Sequence, residues 1–415
     1  MCAAVIKPDP YHLPLAEIDV SNPTLYETDS HWPYFERLRK ESPIHYCPDS
    51  AFGPYWSITR FDDIMAVEQN HEAFSSFPAI VIGDQDPDFT VEQFIAMDPP
   101  KHDQQRKAVT PAVSPRSLAR MEPLIRERIG RIMDELPVGE PFNWVDRVSI
   151  ELTTQMLATL FDFPFEERRR LTYWSDTGTA STEIAGDDSV SVEDRQAALL
   201  ECLETFTGIW NERAAQDPTD KYDFITLMAH SEHFQDMGPM EFLGNLLLLI
   251  VGGNDTTRNS ISGGVLMLNE HPEEYAKLKA DPSLIPNMVS EIIRFQTPLM
   301  HMRRTATRDV EIGGQTIRKG DKVVLWYVSG NRDETHIDRP DEFLIDRKNA
   351  RNHISFGFGV HRCLGNRLAE MQLRLVWEEI VKRFEKVEVV GPAVRLKSNF
   401  VRGITDLPVV LHPKQ

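Results

Sequence analysis

Residues 242–269 are apolar on nearly every side once wound into a helix, which leaves no face for water. Such a segment is stable only with protein wrapped around it, so the chain must build a thick helical core. The run also holds an anomaly. Gly252-Gly253-Asn254-Asp255-Thr256-Thr257 places two small residues, an amide, a carboxylate and two hydroxyls where apolar side chains are expected. A buried carboxylate without a partner or a task costs on the order of several kcal/mol. The interruption therefore marks a site rather than a lapse in patterning.

Helical periodicity dominates elsewhere. Residues 115–135 carry Leu118, Met121, Leu124, Ile125, Ile129 and Ile132 at three- and four-residue spacings, and 191–215, 282–296 and 364–384 read similarly. Strand signals are short: 44–47, 55–59, 310–312 and 322–325, the last two flanking a hairpin turn at Gly313-Gly314. Near the C-terminus 386–390, 394–397 and 409–412 add a small sheet. The expectation is a mainly α protein with small antiparallel β-sheets. With no repeat, low-complexity tract or long linker, residues 1–415 read as a single domain, and the Pro- and Asp-rich residues 1–33 as an irregular N-terminal segment.

Charge narrows the function. Against 45 Lys plus Arg stand 64 Asp plus Glu, a net charge of −19, which disfavours nucleic acid or an anionic membrane as a main partner. No apolar run is long enough to span a bilayer and the N-terminus lacks a signal-type apolar core, so a cytoplasmic protein is expected. Without a coiled-coil stripe, a monomer is expected too. Cys2, Cys47, Cys202 and Cys363 are widely spaced with no C-x-x-C pair, which leaves no disulfide framework or zinc site.

Cys363 stands apart because of its neighbours. Residues 356–365 read Phe-Gly-Phe-Gly-Val-His-Arg-Cys-Leu-Gly and lead into an amphipathic helix. A thiolate needs donors and positive potential around sulfur, and the turn before a helix N-terminus supplies both. A nucleotide-binding G-x-G-x-x-G fails because Arg362 occupies the third glycine position. A Cys-His nucleophile built from His361 is weaker, since near neighbours in sequence need not face each other.

This loop resembles the haem-binding signature F-G-x-G-x-H-x-C-x-G of the cytochrome P-450 family at every fixed position. The resemblance implies the triangular, mainly helical fold of that family over the whole chain, and a haem-thiolate monooxygenase. It makes Cys363 the axial ligand to the iron of haem b, in a loop framed by Phe356 and Gly365, and puts His361 on a haem propionate. By the same resemblance Thr256 is the alcohol beside bound dioxygen and Asp255 the acid that relays protons. Glu291 and Arg294 match the structural E-x-x-R, a spacing that by itself decorates many solvated helices. The stretch that normally closes that network with an arginine reads Pro340-Asp341-Glu342-Phe343 here, which leaves the third partner open, with Arg347 one possibility. His102 and Arg106, one turn apart, match D-P-P-x-H-x-x-x-R and imply propionate contacts, as does Arg304; the adjacent Arg303 is its rival.

The residues expected to line a substrate pocket are Ile82, Phe94 and Met97, Leu248 and Gly252 on the central helix, and Leu299 and Met300; Ile80, Val81, Ile95, Val251 and Met302 are further candidates. The texture around residues 94–102, 253–260 and 353–359 resembles the soluble bacterial alkane and fatty-acid hydroxylases of the family, which implies terminal hydroxylation of a medium-chain alkane, fatty acid or terpene. No flavin or nicotinamide motif is present, so electrons from NAD(P)H are expected through a ferredoxin reductase and a ferredoxin, docking on a basic face of Arg106, Lys107, Arg362 and Arg367. The alternatives are a peroxide-using or non-oxidative haem-thiolate enzyme, disfavoured by the presence of both Asp255 and Thr256, and a non-catalytic haem sensor, for which an apolar pocket would be superfluous.

Overall fold

In the computed structural model, which describes residues 9–180 and 189–414, the apolar run forms one helix, Pro239–Glu270, about 48 Å long at 1.5 Å per residue. Gly252 to Asp255 do not interrupt it. Two of its polar side chains bond back to the helix itself: Thr256 Oγ1 donates to the Gly252 carbonyl at 2.9 Å and Asn259 Nδ2 to the Asp255 carbonyl at 2.8 Å. Helices Glu151–Leu160, Arg169–Thr179, Val192–Ala214, Ile285–Gln296 and Asn366–Arg383 pack around it. Leu243, Leu246, Ile250, Ile261 and Leu268 of the central helix meet Met156, Leu157, Trp174, Ile292 and Trp377 in one buried core. Among the described residues no helix is long and apolar enough to cross a membrane.

The β-structure differs from expectation in pairing. Gly313-Gly314 does turn a hairpin, but Val310–Ile312 pairs with Gln315–Ile317. Lys322–Leu325 instead enters a five-stranded sheet ordered Ile44–Cys47, Tyr55–Ile58, Lys322–Leu325, Met302–Ala306, Phe74–Ser75. There it runs parallel to Tyr55–Ile58, so that sheet is mixed rather than antiparallel. Short strands such as Met302–Ala306, with two adjacent arginines, carry no period-2 signal because they are buried on both faces. Of the three C-terminal strands expected in one sheet, Phe384–Val389 and Pro408–Pro413 pair and take up Phe142–Asn143, whereas Val394–Arg395 pairs separately with Ile404–Asp406. Of the N-terminal segment, residues 1–8 lie outside the described residues. Residues 9–33 are less irregular than expected: single turns form at Pro10–His12, Leu15–Glu17 and Thr24–Glu27, and helix Trp32–Glu41 begins before residue 33. Proline accounts for two of these starts, since its fixed φ and missing N–H suit a first helical turn.

Candidate active site

The cysteine loop is shaped by two glycines in the left-handed region. Gly357 has φ +64° and Gly359 φ +65°; a Cβ on Gly359 would come within 2.5 Å of the Glu68 carbonyl oxygen. A larger residue at either position would strain the loop. The Cys363 N–H donates to the Phe356 carbonyl at 2.8 Å and closes the turn. Helix Asn366–Arg383 starts three residues later, so the Gly365 and Asn366 N–H groups point at the sulfur. Burial pushes the thiol pKa up, while those two donors and the charges of Arg106 and Arg362 pull the other way. Cys363 differs from Cys47 and Cys202, both sealed in the interior, in opening onto an internal cavity.

That cavity, about 300 Å³, is shared by the cysteine loop and the central helix. Phe356, Gly357, His361, Cys363, Leu364 and Gly365 line it from the loop, and Leu247, Leu248, Val251, Gly252, Gly253 and Thr256 from the helix. Ile80, Val81, Phe94, Ile95, Leu299, Met302 and Phe400 complete the apolar wall. Of the anticipated lining residues, Phe94, Leu248, Gly252 and Leu299 reach the cavity. Ile82, Met97 and Met300 do not. Ile82 and Met300 are fully buried in a separate cluster with Trp326, because neighbours along extended chain point to opposite sides: Leu299 faces the cavity and Met300 the core. Met97 packs against the main core. Phe89, Val91, Leu247 and Phe400, which belong to loops or lie on the helix face beside Leu248, gave no recognisable sequence signal.

At one side of the cavity cationic and imidazole groups converge. His102 and His361 pack with ring centroids 4.2 Å apart and ring planes tilted by 58°. Nε2 of His102 and both ring nitrogens of His361 are buried without a hydrogen-bond partner among the described residues. Arg106 donates to the Arg362 carbonyl and Arg304 lines the same cavity. Burial, then the charges of Arg304, His102 and Arg106, drive the His361 pKa far below the usual histidine range, the signature of a site short of negative charge. Arg303 and Arg304 alternate along strand Met302–Ala306. Arg303 turns to the Gly83 carbonyl at 3.0 Å, and Arg304 is held by buried Glu68 at 2.7 Å, which also accepts from Tyr327. Arg304 is thus the one aimed at the cavity. A flat, mainly apolar macrocycle with two carboxylates at one edge and a metal seeking a thiolate fits these groups: an apolar slot, unsatisfied donors for anions, and a sulfur with its own N–H donors.

On the helix side, Asp255 is fully buried. Its Oδ1 accepts from Ser175 Oγ at 3.2 Å and from Asn254 Nδ2 at 3.2 Å and pairs with Arg258 Nη2 at 2.9 Å, while Oδ2 has no partner. Arg258 also pairs with Asp176 at 2.6 Å, and Asp176 is half exposed. The result is a chain of charges from a buried carboxyl to the surface. Burial pushes the Asp255 pKa up to about 6, with Arg258 opposing and Asp176 reinforcing the rise. Neither Arg258 nor Asp176 was singled out in the sequence. Arg258 carried the only available clue, its i+3 spacing from Asp255.

The E-x-x-R pair is closed as a network. Arg294 makes a two-pronged contact with Glu291 at 2.7 and 2.8 Å, and Arg347 Nε donates to both Glu291 oxygens at 3.0 Å. Arg347 is therefore the third partner. The backbone supplies the other contacts: Arg294 donates to the Asn331 and Pro340 carbonyls at 2.8 Å, and both arginines donate to the Glu342 carbonyl. The Glu342 side chain turns outward to Arg339.

Comparison with known proteins agrees. The cytochrome P450 family model matches residues 189–404. Linalool 8-monooxygenase of Pseudomonas putida is 37% identical over 95% of this chain and 99% of its own length. The methyl-branched lipid omega-hydroxylase of Mycobacterium tuberculosis is 31% identical, covering 96% of each. Among solved structures, cytochrome P450-153 from Novosphingobium aromaticivorans superposes with a TM-score of 0.87 at 45% identity over 95% of this chain and 99% of that one. CYP153D17 from Sphingomonas sp. PAMC 26605 gives 0.89 at 46% over 95% and 98%. On the strength of the cysteine loop, the cavity it shares with the central helix and these full-length relatives, the chain belongs to the cytochrome P450 family and is a haem-dependent monooxygenase that uses dioxygen and electrons from external donors.

Proposed function

We propose that Cys363 is the axial thiolate of haem b and that the enzyme hydroxylates a terminal carbon of a medium-chain alkane, fatty acid or terpene. The observation that carries this reading is the single apolar cavity onto which Cys363 and Thr256 both open. Bound haem supplies the oxygen-activating chemistry, favoured by electron donation from a thiolate. The chain's own residues do the rest. His102, His361, Arg106 and Arg304 hold the propionates, and Phe356 keeps water from the sulfur. Gly252 leaves room beside Thr256, whose hydroxyl donates to the Gly252 carbonyl and can accept from a water. Asp255, next to Thr256 in the chain and with a pKa near 6, is the group that takes up and releases protons on this side of the site near neutral pH. The apolar wall of Phe94, Leu248 and Leu299 holds a hydrocarbon by burial and positions a carbon for attack.

The substrate class follows the relatives, one named for linalool and another for the omega position of methyl-branched lipids. Electrons reach the site from NAD(P)H through a ferredoxin reductase and a ferredoxin that docks on Arg106, Lys107, Arg362 and Arg367, with the enzyme acting as a cytoplasmic monomer. The test is a reconstituted system fed with an alkane, fatty-acid and terpene panel. The expected outcome is a spin-state change on binding, a terminal alcohol as product, and turnover that depends on ferredoxin rather than peroxide. The thiolate assignment is checked separately: ferrous protein with carbon monoxide should show the red-shifted Soret band of a thiolate ligand, and Cys363→Ala should lose it. A Cys363→Ala variant that keeps the band overturns the assignment.

A further inference from the structure

A second cavity lies where the C-terminal ends of helices Pro239–Glu270 and Ile285–Gln296 meet helix Trp32–Glu41. Its charged lining is Arg332, Arg395 and Arg402 against Asp29, Glu270 and Asp341. Three carboxylates face three arginines, but they leave several arginine N–H donors unused. Asp29 is committed to two of the arginines, with Arg395 Nη2 at 3.1 Å and Arg402 Nη2 at 3.2 Å. Glu270 is exposed and makes no ion pair among the described residues. Asp341 is mostly exposed and touches only Arg332 Nη1, at 3.3 Å.

Arg332 is the least compensated. Its guanidinium lies 3.5 Å from the centre of the Phe295 ring and 4.5 Å from that of Trp32. Nη1 reaches the Pro340 carbonyl and Asp341, both at 3.3 Å, while Nε and Nη2 donate to no described residue. Burial, then the positive charges of Arg294 and Arg402, act against its protonated form. Nearby, Arg395 Nη1 and Arg402 Nε are buried without partners among the described residues. A planar cation stacked on aromatic rings with its edge free, among further cations, is the arrangement that takes up an oxyanion through paired N–H donors.

We propose that this cavity binds a small oxyanion, a phosphate or a carboxylate, on the free edge of Arg332, beside the N–H donors that Arg395 and Arg402 leave unused. The two helix C-termini, each a partial negative charge, and the resident Asp29 moderate the affinity rather than abolish the site. The bound anion would tie helix Trp32–Glu41 to the segment that follows Asn331. The Pro340 carbonyl accepts from both Arg332 and Arg294, so the anion would also brace the turn behind the Glu291 network. The effect is one on stability, separate from the cavity onto which Cys363 opens.

The test uses the full-length holoenzyme with inorganic phosphate, acetate, and chloride at matched ionic strength, read by isothermal titration and thermal unfolding. Phosphate or acetate should bind saturably and raise Tm by about 2 °C at roughly ten times its dissociation constant, beyond any effect of chloride; whichever of the two saturates identifies the class. Arg332→Gln should abolish that shift. Because Arg332→Gln can fail to fold, Arg395→Gln is the second arm and should weaken binding at least fivefold, while the exposed control Arg131→Gln leaves it unchanged. No saturable binding by either oxyanion, or an undiminished response in the Arg395 variant, overturns the proposal.

Discussion

Asp255 and Glu291 are both fully buried, and each is paired with an arginine one helical turn later, yet their pKa values are pushed in opposite directions. Glu291 accepts from two arginines and from the Leu344 N–H at 3.0 Å, and both of its oxygens are engaged. Burial alone would raise its pKa; the bonds and charges of Arg294, then Arg347, more than offset that and hold it below the usual range. Asp255 has one cation, and that cation is shared with Asp176. One of its oxygens is unpartnered, and burial wins. The same i,i+3 motif is thus a fully bonded strut in one helix and, in the proposed mechanism, a proton-exchanging group in the other. The number of donors surrounding each carboxylate makes the difference, which is a property of packing and not of the motif.

The largest expected effect is that of Glu291→Gln, which strands Arg294 and Arg347 in the interior and should destabilise the fold by about 3–5 kcal/mol, measured by urea unfolding. A variant as stable as the parent would mean the closed network is not a strut. Asp255→Asn should instead lower turnover on the order of 100-fold with no comparable loss of stability at pH 7.5, because the raised pKa means that the ionised form is the strained one. A melting point that falls as far as that of Glu291→Gln erases the contrast.

The pH dependence sharpens the comparison further. Asp255 titrates higher in the folded protein than its unfolded value of about 3.9, so its contribution is fully present below that value and is lost as pH rises through about 6. Across that window the parent should lose stability relative to Asp255→Asn, as unfolding of the pair in a pH series would reveal. Glu291, with its pKa depressed, works the other way: its contribution is present above the ordinary carboxyl range and is lost as pH falls. The smallest effect is expected at the exposed end of the charge chain. Asp176→Asn should change stability by less than about 1 kcal/mol but remove a charge that raises the Asp255 pKa, moving the limb of the pH–rate profile that Asp255 governs to lower pH. An unmoved limb would separate Asp176 from the relay.

Much of this could be read from the chain. The central helix, the cysteine loop and the strands at Ile44–Cys47 and Val310–Ile312 follow from local patterning, and the convergence of His102, Arg106 and His361 from the resemblance to the family's motifs. The sheet pairings did not, because a strand buried on both faces has no alternation to read and its partner is set by distant chain. The lining of the cavity was half legible. Phe94, Leu248, Gly252 and Leu299 reach it, whereas Ile82, Met97 and Met300 have the same apolar character but face the core; hydrophobicity alone does not say which side of an extended segment a residue occupies.

What the sequence determined by itself was the chemistry at hand: a thiol before a helix, two glycines that only a tight loop requires, and a carboxylate and hydroxyl inside an apolar helix. These depend on neighbours within a few residues. Tertiary structure decided which of two adjacent arginines faces the cavity, that Arg347 completes the Glu291 network, and that Arg258 and Asp176 leave Asp255 under-compensated. Each of those outcomes depends on how many donors and charges distant segments bring within hydrogen-bonding distance of one group, and that number is set only when the chain is packed.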